Sequence, residues 1–245
     1  MAVQVNVLRV FTNPAGEHGN PLGVVLDTTG LDDARRQAIA TELNFSETVF
    51  IEDMARAELR IFTPARELPL AGHPLVGAAW ALSLATDRPV PILRPLLAGS
   101  EVETWTEDGL TWIRALIADA PPWNLVLRDT QAEIEALRPP SLHRPSASVP
   151  PPASGTPAIA EDALHEYYAW QDEVDGAIRA RVFASAYGIA EDEATGSGAL
   201  RLVEALRRPL VITQGRGSII YARPAPHPEY AEIGGRVLQD EVRVL

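Results

Sequence analysis

Three short clusters in this chain combine residue types that could do chemistry with positions at a helix start or a strand end. They are Asn44-Phe45-Ser46-Glu47-Thr48, Ala71-Gly72-His73-Pro74 and Glu191-Asp192-Glu193-Ala194-Thr195-Gly196-Ser197-Gly198. Glu47 precedes the apolar run Thr48-Val49-Phe50-Ile51 and is a candidate general acid/base, with a pKa raised wherever a cleft keeps water away. The plainer reading of Glu47 is a surface carboxylate at a strand start, as most glutamates are. His73 could protonate or position a substrate oxygen, or only hydrogen-bond a helix start. Asp192 could orient a substrate amine or hydroxyl, or be a turn residue. Two helices starting at Gly72 and Gly196 would each offer free N–H groups and the positive end of a dipole, which is an anion site. Gly72, Gly196 and Gly198 have no Cβ, so a ligand can approach the backbone closely. If both helix ends meet in one cleft, a small carboxylate-bearing substrate suits it. The competing reading is ordinary capping, with Thr195 or Ser197 as the cap.

These residues need elements to hold them. Val3, Val5 and Val7 alternate with polar residues and predict a strand, and Leu22–Leu26 predicts another after the Gly19-Asn20-Pro21 turn. Asp32 to Leu43 reads as an amphipathic helix with acids in its first turn. Strands follow near 47–52 and 58–62. The stretch from Gly72 to Ala85 is apolar on every face after Pro74, so it predicts a helix buried all round. Further strands are expected near 101–105 and 110–115, and a helix from Asp129 to Leu137. Residues 138–157 hold seven prolines and read as an extended, solvated loop, with a partner-docking motif as the weaker alternative. Beyond it, Arg181-Val182-Phe183 repeats Arg60-Ile61-Phe62, and each strand leads through a loop into a helix that opens with small residues. Final strands are expected near 210–213, 218–222 and 241–245.

Composition excludes whole classes of chemistry. All 21 basic residues of the 245 are arginine, and there is no cysteine. Without lysine there is no Schiff base to a carbonyl substrate or to pyridoxal phosphate. Without cysteine there is no thiolate nucleophile, disulfide, iron–sulfur cluster or cysteine zinc site. The five histidines, His18, His73, His143, His165 and His227, lack metal-ligand spacing, so no metal site is expected. A formal charge of −12 argues against nucleic-acid or anionic-membrane partners. No stretch reaches the roughly 20 clean apolar residues of a spanning helix, and the start lacks a signal-peptide pattern. The expectation is a cytoplasmic protein.

The ordered set Val10-Phe11-Thr12, Gly19-Asn20-Pro21-Leu22-Gly23-Val24-Val25, Leu43 to Thr48, Arg60 to Pro64, Glu67 to Pro74, Arg181 to Ala184 and Glu191 to Ser197 resembles the phenazine-biosynthesis PhzF-like family, within the diaminopimelate-epimerase-like fold. The resemblance implies an α+β fold of two pseudo-symmetric halves, each a β-barrel-like sheet wrapped around a central helix, with the site between them. The halves would be 1–115, with central helix 73–85 and a C-terminal strand 240–245 able to return to it, and 116–235, with central helix 196–207 and the Pro-rich loop 138–157. It also implies a cofactor-independent isomerase, commonly a homodimer, of the type that acts on trans-2,3-dihydro-3-hydroxyanthranilate. Glu47 falls on the family's acid/base glutamate. Ser46, Gly72, His73, Asp192, Gly196 and Ser197 fall on substrate-contacting positions. The related epimerases use paired cysteines, which this chain lacks, and the glutamate branch needs none. The same residues could instead serve a non-catalytic small-molecule-binding protein. Two departures fall near the cleft: Glu193 stands where the family often has Pro, and Gly215-Arg216-Gly217-Ser218 replaces a Gly-Arg-Pro-Ser pattern. A carboxylate at 193 is expected to raise the pKa of Asp192 or to repel an anionic substrate.

Overall fold

A computed structural model of the chain describes residues 2–140, 164–185 and 189–245. Most of the proline-rich loop expected at 138–157 lies outside the described residues. The first elements are β1 (Gln4–Thr12), β2 (Asn20–Val25), α1 (Asp33–Leu43), β3 (Glu47–Asp53), β4 (Glu58–Phe62), the short β5 (Glu67–Leu68), α2 (Gly72–Thr86), β6 (Ile92–Pro95), β7 (Val102–Glu107) and β8 (Leu110–Leu116). Then come β9 (Asn124–Leu127), α3 (Gln131–Ala136), β10 (His165–Asp172), β11 (Ala177–Ala184), β12 (Ile189–Asp192), α4 (Gly196–Leu206), β13 (Leu210–Gln214), β14 (Ser218–Pro224) and β15 (Tyr230–Val244). The fold is α+β, as the resemblance implies.

The strands hydrogen-bond in the order β1-β2-β3-β4-β6-β7-β8-β15-β14-β13-β11-β10-β9, and β1 also pairs with β15. That last pairing closes eight strands into a ring. Inside the ring lies α2, touching β1, β2, β3, β7, β8 and β15. This explains why Leu75, Val76, Ala78, Ala79, Ala81 and Leu82 can all be buried on one helix. The continuation beyond β15 packs on α4, which buries Ala199, Leu200, Leu202 and Val203 and turns Glu204 outward.

One pairing pattern occurs twice. Strands β2 and β3 run parallel, β3 and β4 antiparallel, and β4 and β6 parallel, with β5 added to β4. Likewise β9 and β10 run parallel, β10 and β11 antiparallel, and β11 and β13 parallel, with β12 added to β11. The Arg-x-Phe repeat belongs to this pattern. Arg60 makes a two-pronged pair with Glu67 and lies over the Phe62 ring. Arg181 does the same with Glu191 and Phe183. Lysine cannot supply that fork and that flat stacking face together.

β15 is longer than the strand expected near 241–245. It starts at Tyr230, pairs through Gly235 with β8, and from Arg236 to Val244 pairs with β1. Gly234 and Gly235 interrupt the side-chain alternation by which the earlier part would be recognised.

Candidate active site

The turn that delivers Glu47 is built by α1. Asp32 caps the start of that helix by accepting from the Arg35 N–H. Asn44 ends it in the left-handed conformation, with φ of 51°, a geometry asparagine tolerates better than most residues. The chain then reverses through Phe45 and Ser46, and β3 begins at Glu47 beside Leu22 of β2. Glu47 is thereby buried against the first turn of α2, with Oε2 3.2 Å from His73 Nδ1.

The two helix starts meet. A Cβ placed on Gly72 would stand 2.7 Å from the Gly196 Cα, and one placed on Gly196 would stand 2.8 Å from the Gly72 Cα. Only glycine at both positions permits this approach. Neither start is capped: Ala71 has no side chain to do it, and the Thr195 side chain makes no capping bond. The capping reading is therefore corrected. Thr195 Oγ1 instead donates to Asp192 Oδ2 at 2.6 Å and accepts from Gln214 Nε2 at 2.9 Å. Ser197 Oγ accepts from Trp123 Nε1 at 3.0 Å.

Asp192 lies at the end of β12 and collects donors from both sides of the junction. Asn20 Nδ2 and Ser46 Oγ donate to its Oδ1 at 2.8 and 3.1 Å. Gln214 holds the loop that carries it, through Asp192 O at 2.9 Å and Thr195 N at 3.2 Å. A cavity of about 240 Å³ opens at this junction, with Glu47, Ala71, Trp123, Asp192, Thr195 and Ser197 in its wall. All seven residues singled out from the sequence thus gather here, with Gly72 and Gly196 forming the seam, His73 beside Glu47 and Ser46 on Asp192.

Electrostatics separate the roles of these groups. Burial, and then the charge of Asp192, push the Glu47 carboxyl well above the usual carboxylate range. Its Oε2 has no hydrogen-bond partner. Burial pushes the His73 imidazole down to about 3, with the Pro21 carbonyl opposing, so it is neutral at ordinary pH. Burial also raises Asp192, against the pull of Thr195, Asn20 and Ser46. Glu193 adds to that rise as the smallest contribution. Its carboxylate is turned out of the cavity, accepting from Ser218 Oγ at 2.8 Å and from the Arg216 N–H at 3.1 Å. Ser218 Oγ in turn accepts from the Gly19 N–H at 2.9 Å. The two departures from the family pattern are therefore one local unit, and Glu193 is not placed to repel a ligand in the cleft.

Several groups here carry no mark in the sequence. Asn20 is read only as part of the Gly19-Asn20-Pro21 turn and the family pattern, Gln214 falls just past the strand expected near 210–213, and no role is read for Trp123. The fourth is Glu166 on β10, fully buried behind α4. Only tertiary packing gives these residues their meaning.

Known proteins place the arrangement. A family model for phenazine biosynthesis-like proteins matches residues 8–91. The trans-2,3-dihydro-3-hydroxyanthranilate isomerase of Pseudomonas fluorescens is 34% identical over 239 residues, covering 88% of this chain and 82% of the relative. The crystal structure of a PhzF-family phenazine biosynthesis protein from Bacillus anthracis superposes with a TM-score of 0.74 at 19% identity, covering 100% of this chain and 99% of the other. A hydroxyproline epimerase of Agrobacterium vitis shares the fold at a TM-score of 0.60 and 12% identity, covering 100% and 92%. With that identity sustained over most of both chains, this protein belongs to the phenazine-biosynthesis PhzF-like family of isomerases, on a diaminopimelate-epimerase-like fold.

Proposed function

We propose that the protein is a cofactor-independent isomerase that moves a proton between carbons of a small carboxylate-bearing substrate similar to trans-2,3-dihydro-3-hydroxyanthranilate, with Glu47 as the general acid/base. The observation that carries the reading is the position of Glu47: a buried carboxyl with an unpartnered oxygen, beside two abutting and uncapped helix starts. The N–H groups of those first turns have no helical acceptor and offer a fixed anion cradle for a substrate carboxylate or a developing enolate. Glu47 as carboxylate takes a proton from one substrate carbon and, as the acid, returns it to another, so the protein ends unchanged. Neutral His73 lies beside Glu47 without adding charge. Asp192, with Asn20, Ser46 and Thr195 donating to it, is the group to orient a substrate amine or hydroxyl.

The test is incubation with trans-2,3-dihydro-3-hydroxyanthranilate in D₂O. Isomerised product carrying carbon-bound deuterium is expected. In Glu47→Gln, turnover should fall by about 10²–10⁴-fold with ligand binding retained. Saturable binding without exchange or product would instead make the protein a small-molecule-binding member of its family.

A further inference from the structure

Among the described residues, Glu166 is the one buried carboxyl near the cleft that this mechanism leaves unused. It is 0% exposed, and neither Oε1 nor Oε2 has a hydrogen-bond partner. Buried polar atoms in that condition are rare and call for an explanation. The first turn of α4 is shaped around this side chain, since a Cβ on Gly198 would stand 2.2 Å from Glu166 Oε2. The glycine read from the sequence as room for a ligand is therefore room for a carboxyl of the protein itself. Paired across the sheet, Glu166 opposes Val182, which opposes Asp192, so both acids point to the face that packs on α4.

We propose that Glu166 is a positioning residue that decides whether the α4 start accepts an anion: as the neutral acid it leaves the first turn's positive end to a substrate carboxylate, and as the anion it takes that end for itself. The inference rests on the reading of the helix starts as a carboxylate cradle. Two negative groups cannot share one such end without repulsion. Burial and the charge of Asp192 push Glu166 up to about 8, so the change falls on the alkaline side of neutrality. The titratable group that raises it is Asp192 on β12, and the charge of Glu166 in turn raises Tyr168 on β10. From β9 and β11 its direct partners are Leu125 and Val182. On α4, Arg201 is turned away to the carbonyls of Ala120 and Pro121. His165 and Tyr167 lie on the other face of β10, stacked on each other.

Calorimetric titration with benzoate, and with benzamide as its neutral counterpart, tests this between about pH 6.5 and about pH 9.5, on either side of the Glu166 transition near 8. In the unaltered protein the benzoate Kd should rise by about fivefold or more across that range, the size of an ordinary coupling between two groups. Benzamide binding should stay level. Glu166→Gln, and Glu166→Met as an apolar replacement of similar length, should bind benzoate with a flat pH profile. Persistence of the alkaline loss in both variants would assign it to Glu47 or Asp192 and overturn the proposal. So would a flat profile in the unaltered protein, or no benzoate binding at the acid end, where the cradle must be open. Deuterium exchange in the unaltered protein at about pH 7 answers the isomerase question separately, since it reads proton transfer and not the pH dependence of anion binding. A protein with gated benzoate binding but no exchange would keep this inference and lose the isomerase reading.

Discussion

Glu47, Asp192 and Glu166 are three buried carboxyls in one neighbourhood, and their hydrogen bonds differ sharply. Asp192 accepts from Asn20, Ser46 and Thr195, whereas Glu47 Oε2 and both oxygens of Glu166 accept from nothing. Donors favour the charged form, so Asp192 is the first of the three to ionise, and its charge then raises the other two. The acid limb of kcat/KM should follow from this. If Glu47 must be ionised to take the first proton, activity falls as pH drops through its raised pKa, so the limb lies above the ordinary carboxylate range. Removing the charge with Asp192→Asn should move the limb to lower pH in whatever activity remains. A pH–rate series on both proteins checks the direction, and a limb that stays put would break the proposed coupling. Glu166 adds a stability effect of known sign. Its pKa is about 8 in the fold against 4.5 for the free side chain. Between those values the unfolded chain releases a proton that the folded chain keeps, so stability falls as pH rises from 4.5 to 8. The loss is on the order of a few kcal/mol. Urea midpoints for Glu166→Gln should fall less between about pH 5 and about pH 8 than those of the unaltered protein.

At the scale of elements, α2 and α4 were the most legible parts of the chain. A helix apolar all round must be enclosed, and glycines at two helix starts invite close approach, so α2 and α4 and the meeting of their starts can be read from residues 72–85 and 195–206. The short partners were not legible. β5 has two residues, and β6 lies in a Pro-Val-Pro-Ile stretch that reads as a loop. β10 escapes for the opposite reason: His165 to Ala169 are all buried, so no polar–apolar alternation marks it. Glu166 sits in that strand, and so the unreadable strand carries the unreadable carboxyl. The helix junction itself makes a prediction. In Gly196→Ala the new methyl meets the Gly72 Cα at 2.8 Å and Ile233 Cδ1 at 2.8 Å, and the backbone of Gly72 cannot rotate away as a side chain tip would. The two starts must separate, and a misplacement of about 1 Å can cost about 10²-fold in rate. Steady-state kinetics should show that loss mainly in kcat, with the far-ultraviolet circular dichroism unchanged. Full activity in Gly196→Ala would mean that the abutting helix ends are not part of the chemistry.

For the whole molecule, the connection between the ring around α2 and the strands on α4 is β15. Its first part is hydrogen-bonded to both β8 and β14, and its second part closes the ring against β1. The crossing point is Gly234-Gly235, where the strand passes two aromatic rings. A Cβ on Gly234 would lie 2.4 Å from Trp112 Cδ2, and one on Gly235 would lie 2.4 Å from Phe11 Cδ1. Phe11 itself has a φ of 67° at an irregularity in the β1–β15 pairing, so the ring is set by strained backbone and has little freedom to yield. A strand shared in this way couples the two sets of strands, because neither can lose β15 without unpairing the other. Unfolding in urea should therefore be a single transition, with tryptophan fluorescence and circular dichroism coincident. Gly235→Ala should lower the midpoint for both probes together by overpacking against Phe11, at a cost of about 1–3 kcal/mol. If the two probes separate, or if the variant shifts only one of them, the strands around α2 and those on α4 unfold independently, and the shared strand does not couple them.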